Sequence, residues 1–153
     1  EKYSFAPGTK MGEFRGVRTF GEQLRHIAVD NYFFAAVILG EKPAADLGNI
    51  EANENGPAGI VSKADVIAYV KNSFAQMHRA APAIDDANAV LPTPGISPWP
   101  EGTATRLGLA LEDVVHTYDH YGQLVEYLRM NGIVPPGSAQ PPTVFGRKAL
   151  PSK

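Results

Sequence analysis

Apolar residues recur at helical spacing in three stretches of the chain, and no stretch of useful length alternates as a strand would. The first stretch follows a capping box, Thr19 with Glu22 three residues on, and Phe20 directly after the cap. From there Phe20, Leu24, Ile27, Asn31, Phe34 and Ile38 step by alternating fours and threes, which is one helical face. Gly40 supplies a stop and Pro43 prevents resumption. Ser62 with Asp65 marks a second start, and Val66, Val70, Phe74 and Met77 carry a second stripe to a stop before Pro82. The third helix is the clearest, over residues 104–130. Leu107, Leu111, Val114, Tyr118, Tyr121, Val125 and Leu128 keep the alternation without a fault, and Asn131-Gly132 followed by Pro135-Pro136 ends it. Core packing is the expected role of this stripe, including Tyr118 and Tyr121.

The segments between are rich in Gly, Pro and Asn. Residues 1–18 read as an irregular leader and 41–61 as a loop. Residues 84–103 read as an extended connection, with Trp99 packed on the bundle. One domain over 1–136 and a Pro-rich tail over 137–153 are expected. A chain of 153 residues suits a single core.

A net charge of -2 without a cluster of Lys or Arg argues against a nucleic-acid partner and against an anionic membrane surface. The longest apolar run, residues 32–39, is too short to span a bilayer. The absence of cysteine excludes disulfides, thiolate metal sites and a cysteine nucleophile. The chain begins at Glu1 without a signal-peptide pattern, so an upstream piece is expected to have been removed or left out. The compartment stays undetermined: cytoplasm is the default, and an exported mature form is compatible.

Chemistry enters with the histidines. His116 and His120, four apart, share one helix face, near enough to share an ion. Imidazole suits Zn, Ni, Cu and Fe. A lone pair of this kind is also what two surface or capping histidines look like. The face they occupy lies nearly opposite the Leu107–Leu128 stripe and includes Leu109 and Tyr127, so it is half apolar, as a pocket wall or a dimer contact would be. The first helix repeats the arrangement, with His26, Val29, Asp30, Phe33 and Val37 opposite its stripe. His26 alone would read as a partly buried, hydrogen-bonded histidine; two helices that each present histidine on a second apolar face favour a shared site. His78, beside Arg79 at a helix C-terminus, reads as structural or solvated. Asp30, Asp113 and Asp119 are candidates to orient imidazoles from behind, or else solvated helix charges.

Several segments carry a resemblance: residues 1–7 (EKYSFAP), 19–28 (TFGEQLRHIA), 116–124 (HTYDHYGQL) and 127–136 (YLRMNGIVPP). Together they resemble the DinB-like (DinB/YfiT-type) family of metal-dependent proteins. The resemblance implies an all-α, up-down-down-up four-helix bundle, commonly dimeric. It implies a divalent metal held by one histidine of the second helix and two of the last long helix, which by matching motif are His26, His116 and His120. It also implies a helix ahead of the Lys-Tyr-Ser-Phe segment, so either the first helix of the bundle lies outside the supplied chain or the core is capped differently. Zinc or nickel is the first expectation for the ion, then iron, manganese or copper.

Three imidazoles leave a divalent ion an open position, which binds water or substrate, whereas structural zinc sites are usually closed by four protein ligands. Such an ion polarises carbonyls and supplies hydroxide near neutral pH. An open site makes a metal-dependent enzyme the expectation, and the resemblance implies a hydrolase or a low-molecular-weight thiol transferase acting on a small molecule, like the relatives that use mycothiol or bacillithiol. The competing expectation is a non-catalytic metal-binding or stress-response module.

Overall fold

The structure, a computed structural model, describes residues 2–8, 12–93, 102 and 104–139. These form three long helices, α1 (Phe20–Leu39), α2 (Lys63–Ala80) and α3 (Arg106–Met130), and a single-turn helix α4 (Pro136–Ala139). A 3₁₀ turn, Ala81–Ala83, follows α2, and no strand occurs among the described residues. The fold is an all-α bundle in which α1 is the central element, packed on α2 and on α3.

The helix ends follow local chemistry. Both halves of the Thr19–Glu22 capping box form, and Gly40 closes α1 in the left-handed conformation at φ 68°. Ser62 caps α2 by accepting from the Asp65 amide, and Thr105 caps α3 by accepting from the Gly108 amide. The cap at Thr105 sets the α3 start two residues later than the periodicity suggests. The irregular leader folds over the α1 N-terminus, where the Phe20 and Gly21 amides donate to the carbonyls of Phe5 and Tyr3, both at 2.8 Å.

Two buried clusters flank the middle of α1: Phe34, Ala35 and Ile38 with Met77, Ala80 and Leu109, and Ala28, Val29 and Tyr32 with Tyr69. Between them lies a polar tie across all three long helices. The Asn31 amide donates to Asp113 Oδ1 (2.8 Å) and to the Ile27 carbonyl (3.0 Å), and its oxygen accepts from the Ser73 hydroxyl (3.1 Å).

Two expectations are corrected. The α3 stripe is not core. Leu111 is 58% exposed and Tyr118 70%, and Leu107, Val114 and Tyr121 are also exposed; the buried residues of α3 are Leu109, Asp113, His120, Leu124 and Tyr127. Both faces carry apolar residues, so period alone did not say which turns inward. The described part of 84–103 is not extended either. Asp85 Oδ1 accepts from the Ala87 and Asn88 amides, folding the chain into turns, and Pro92 then bridges to Thr105; Trp99 lies outside the described residues. The tail begins inside helix α4, which folds back on α3 through an Arg129–Ser138 hydrogen bond, and residues 140–153 lie outside the described residues.

The 41–61 loop crosses the top of α1 next to the histidines. Gly48, at φ 70°, lets its backbone meet that of Gly56, where a Cβ would fall 2.6 Å from the Gly56 carbonyl oxygen. Arg25 donates to the carbonyls of Asn55 and Ile60, and Arg18 to Asn55 Oδ1 and the Asn53 carbonyl. Glu54, between these anchors, is held at φ 54°.

Candidate metal centre

His26 from the second turn of α1 meets His116 and His120 from α3, and a ligand nitrogen of each lies within 4.8 Å of the others. His116 Nε2 is 3.0 Å from His26 Nε2 and 3.0 Å from His120 Nε2. His26 and His120 are buried and His116 is half-buried. Burial, the dominant cause, holds all three imidazoles below their usual pKa: His26 to about 3, His120 to about 4, and His116 lowered. The Arg18 charge adds to the shift at His26, and mutual repulsion adds to it at His120. The cluster is therefore neutral at pH 7, the form that binds a metal.

The tautomers are fixed from outside. His26 Nδ1 donates to the Glu54 carbonyl at 3.1 Å, and His120 Nδ1 donates to Gln23 Oε1. A carbonyl oxygen only accepts, so in both rings the proton sits on Nδ1 and Nε2 carries the lone pair. Both lone pairs point at His116 Nε2, which has at most one proton to offer. His116 Nδ1 is itself buried without a partner. Three inward nitrogens with too few protons between them repel one another, and one divalent cation at their centre resolves that. The donor set fits a metal on this ground.

Gln23 extends the arrangement. It is 2% exposed, and its Nε2 donates to Gln123 Oε1 at 2.9 Å, while Gln123 Nε2 donates to Asp119 Oδ2 at 2.7 Å. A chain of hydrogen bonds thus runs from His120 through both glutamines to an exposed carboxylate. Sequence reasoning assigned Gln23 and Gln123 no role. The available signal was the spacing: each glutamine lies three residues from a histidine, Gln23 before His26 and Gln123 after His120.

The three aspartates part company. Asp119 reaches His120 only through the glutamines. Asp113 is tied to Asn31 in the helix packing, and burial raises its pKa to about 6. Asp30 comes to the inner side of the cluster, its Oδ2 3.2 Å from His116 Nε2 and 3.7 Å from His26 Nε2. Burial first, and then the Glu54 charge, raise its pKa to about 7. His78 is exposed and takes no part in the cluster.

Two cavities adjoin residues that contact the cluster, although none of the three histidines lines either. One of about 440 Å3 is lined by Arg18, Gln23, Asn53, Asn55 and Gln123, and one of about 100 Å3 lies between Asp30, Phe33, Ile50 and Glu54. No helix is long and apolar enough to cross a membrane among the described residues. The family model described as the DinB superfamily matches residues 1–124. Among curated proteins and among solved structures, nothing matches.

Proposed function

The chain belongs to the DinB superfamily, and on that premise we propose that it is a metal-dependent enzyme, a hydrolase or a low-molecular-weight thiol transferase, with His26, His116 and His120 as ligands of a zinc or nickel ion. The observation that carries the reading is the convergence of three neutral imidazoles, two with tautomers fixed by Glu54 and Gln23, beside the polar 440 Å3 cavity. A bound divalent ion supplies Lewis acidity and activates water or a thiol near neutral pH.

The protein's own groups do the rest. Glu54 and Gln23 hold the rings so that each Nε2 faces inward. Arg18 gives the cavity a cation, and with two asparagines and two glutamines around it the lining suits a polar small molecule bearing an anionic group. The 41–61 loop, anchored by Arg18 and Arg25, screens His26 from solvent.

We further propose that the protein is a homodimer. The outer face of α3 supports this, because Leu107, Leu111, Val114, Val115, Tyr118 and Tyr121 are all exposed, an unusual run for a soluble monomer.

The test compares metal content and turnover of the wild type with a His116→Ala/His120→Ala double variant, on esters, amides and thiol-conjugation substrates. About one ion per chain and turnover only in the wild type are expected. Equal metal content in the two proteins would remove the site. Metal binding without turnover in any assay would favour the non-catalytic module.

A further inference from the structure

A carboxylate that orients a metal-bound histidine from behind must meet the ring nitrogen that faces away from the ion. In His26 that nitrogen is Nδ1, and the Glu54 carbonyl already occupies it. Asp30 is elsewhere. Its Oδ2 approaches Nε2 of both His116 and His26, the nitrogens that carry or face the inward lone pairs. A carboxylate oxygen on that side of the rings is placed to share their ion.

We propose that Asp30 is a fourth protein ligand, making the centre a three-histidine, one-carboxylate site. The inference rests on the three-histidine reading above and deepens it; with four protein ligands, the open position that the proposed enzyme needs is a fifth or sixth one on the ion. The geometry carries it. Donor atoms about 2.1 Å from one ion are separated by about 3.0 Å at a right angle and about 3.4 Å at the tetrahedral angle. The two His–His separations are 3.0 Å, and Asp30 Oδ2 to His116 Nε2 is 3.2 Å. The 3.7 Å to His26 Nε2 corresponds to an angle of about 120° at bonds of that length. These four separations suit one shared ion; the group whose ligand atoms all lie within 4.8 Å of one another is the three histidines without Asp30, so joining them on one ion takes a rotation of the Asp30 side chain.

Sequence and fold produce this placement together. Asp30 follows His26 by four residues, so the two share a face of α1 one turn apart, and α3 packs against that face with His116. The Asp30 side chain is 16% exposed, beside the 100 Å3 cavity. A carboxylate cancels one of the two positive charges of the ion, and it brings an oxygen donor that suits manganese and iron as well as zinc and nickel.

The test titrates metal-free full-length protein with Co(II), following the visible spectrum, and with Zn(II) against a competing chelator. The proteins compared are wild type, Asp30→Asn, Asp30→Glu, Asp113→Asn and His116→Ala. Asp30→Asn keeps the side-chain size and removes a buried charge, so it folds, and far-UV circular dichroism of the metal-free form checks this. Its affinity is expected to fall by more than about 100-fold, beyond the 10–100-fold typical of a residue that only orients a ligand. Its Co(II) spectrum is expected to change, with Asp30→Glu recovering part of both. Asp113→Asn should bind as the wild type does. Affinity within about 100-fold and an unchanged Co(II) spectrum in Asp30→Asn would overturn the assignment, while loss of binding in His116→Ala would leave the three-histidine reading standing. A wild type that takes up no Co(II) or Zn(II) would overturn both.

Discussion

Replacing Gln23 by Met separates the tautomer argument from simple packing. The side chain is 2% exposed and bonds on both sides, to His120 Nδ1 and Gln123 Oε1. Met fills nearly the same volume and makes neither bond. The metal-free protein loses two buried hydrogen bonds at about 1 kcal/mol each, and an unpaired buried N–H costs about 1–3 kcal/mol unless the proton moves. His120 can avoid that cost by shifting its proton to Nε2, where His116 Nε2 lies 3.0 Å away. The expected net destabilisation is about 2 kcal/mol, or a fall in Tm of roughly 4–8 °C for a chain of this size. The escape has a consequence, because a proton on Nε2 must be displaced before an ion can bind there. Metal affinity should fall about 10–100-fold, or about 1.4–2.7 kcal/mol. Gln23→Glu keeps an acceptor for His120 and should retain the Nδ1 tautomer and most of the affinity. Long-range proton–nitrogen NMR reads the tautomer in the metal-free protein, and calorimetry with Zn(II) reads the affinity. A Gln23→Met protein that binds zinc at wild-type strength, with the His120 proton still on Nδ1, would refute the reasoning.

Three further outcomes are expected. In the metal-free protein His26 and His120, with pKa values of about 3 and about 4, stay neutral in the folded state while their unfolded forms take up protons below pH 6.5; each contributes stability that is lost on acidification, at about 1.4 kcal/mol per pH unit. Asp30, raised to about 7, is protonated when folded and ionised when unfolded between about pH 4 and 7, so it works in the opposite sense. Asp30→Asn should therefore steepen the acid loss between pH 4.5 and 6.5 by about one proton in urea titrations, and superimposable profiles would count against the raised pKa of Asp30. Thr19→Ala removes half of the capping box and should cost about 1 kcal/mol, read as a lower urea midpoint with an unchanged m-value. Leu111→Glu with Tyr118→Glu places charge on the exposed α3 face and should convert a dimer to a monomer by light scattering, with helical content kept; an unchanged mass would place any dimer contact elsewhere.

The helices were legible because their signals are local. Thr19, Glu22 and Gly40, or Ser62 and Asp65, fix a helix end through bonds within a few residues, whatever surrounds them. The histidine cluster was legible in part for the same reason, since spacing puts His116 with His120, and His26 with Asp30, on shared faces. What bonds to each ring depends on residues distant in sequence. The acceptor for His26 is a backbone carbonyl of a loop residue at positive φ, Glu54, and no side-chain pattern announces a carbonyl. Gln23 meets His120 across 97 positions. The side of His26 on which Asp30 falls is likewise decided only once α3 packs on α1.

The inverted face of α3 belongs to the same argument. A stripe of seven Leu, Val and Tyr residues from Leu107 to Leu128 predicts burial, yet it is the His-bearing face that turns inward. That face can be buried because its other polar groups meet specific partners there, Asp113 with Asn31 and His120 with Gln23, while His116 Nδ1 stays unpaired. Tyr127 completes it, packing its ring on Phe5 and donating its hydroxyl to the Arg18 carbonyl. Apolar residues carry no such pairing requirement and pack against any apolar surface, so the polar pairs select the inner face and leave the stripe outward. On this reasoning the two faces of α3 are separable. Charge on Leu111 and Tyr118 should change the assembly and leave metal affinity intact, whereas Gln23→Met should weaken the metal and leave the assembly unchanged. A protein in which either change moved both properties would show that the α3 surface and the histidine cluster are coupled through the helix.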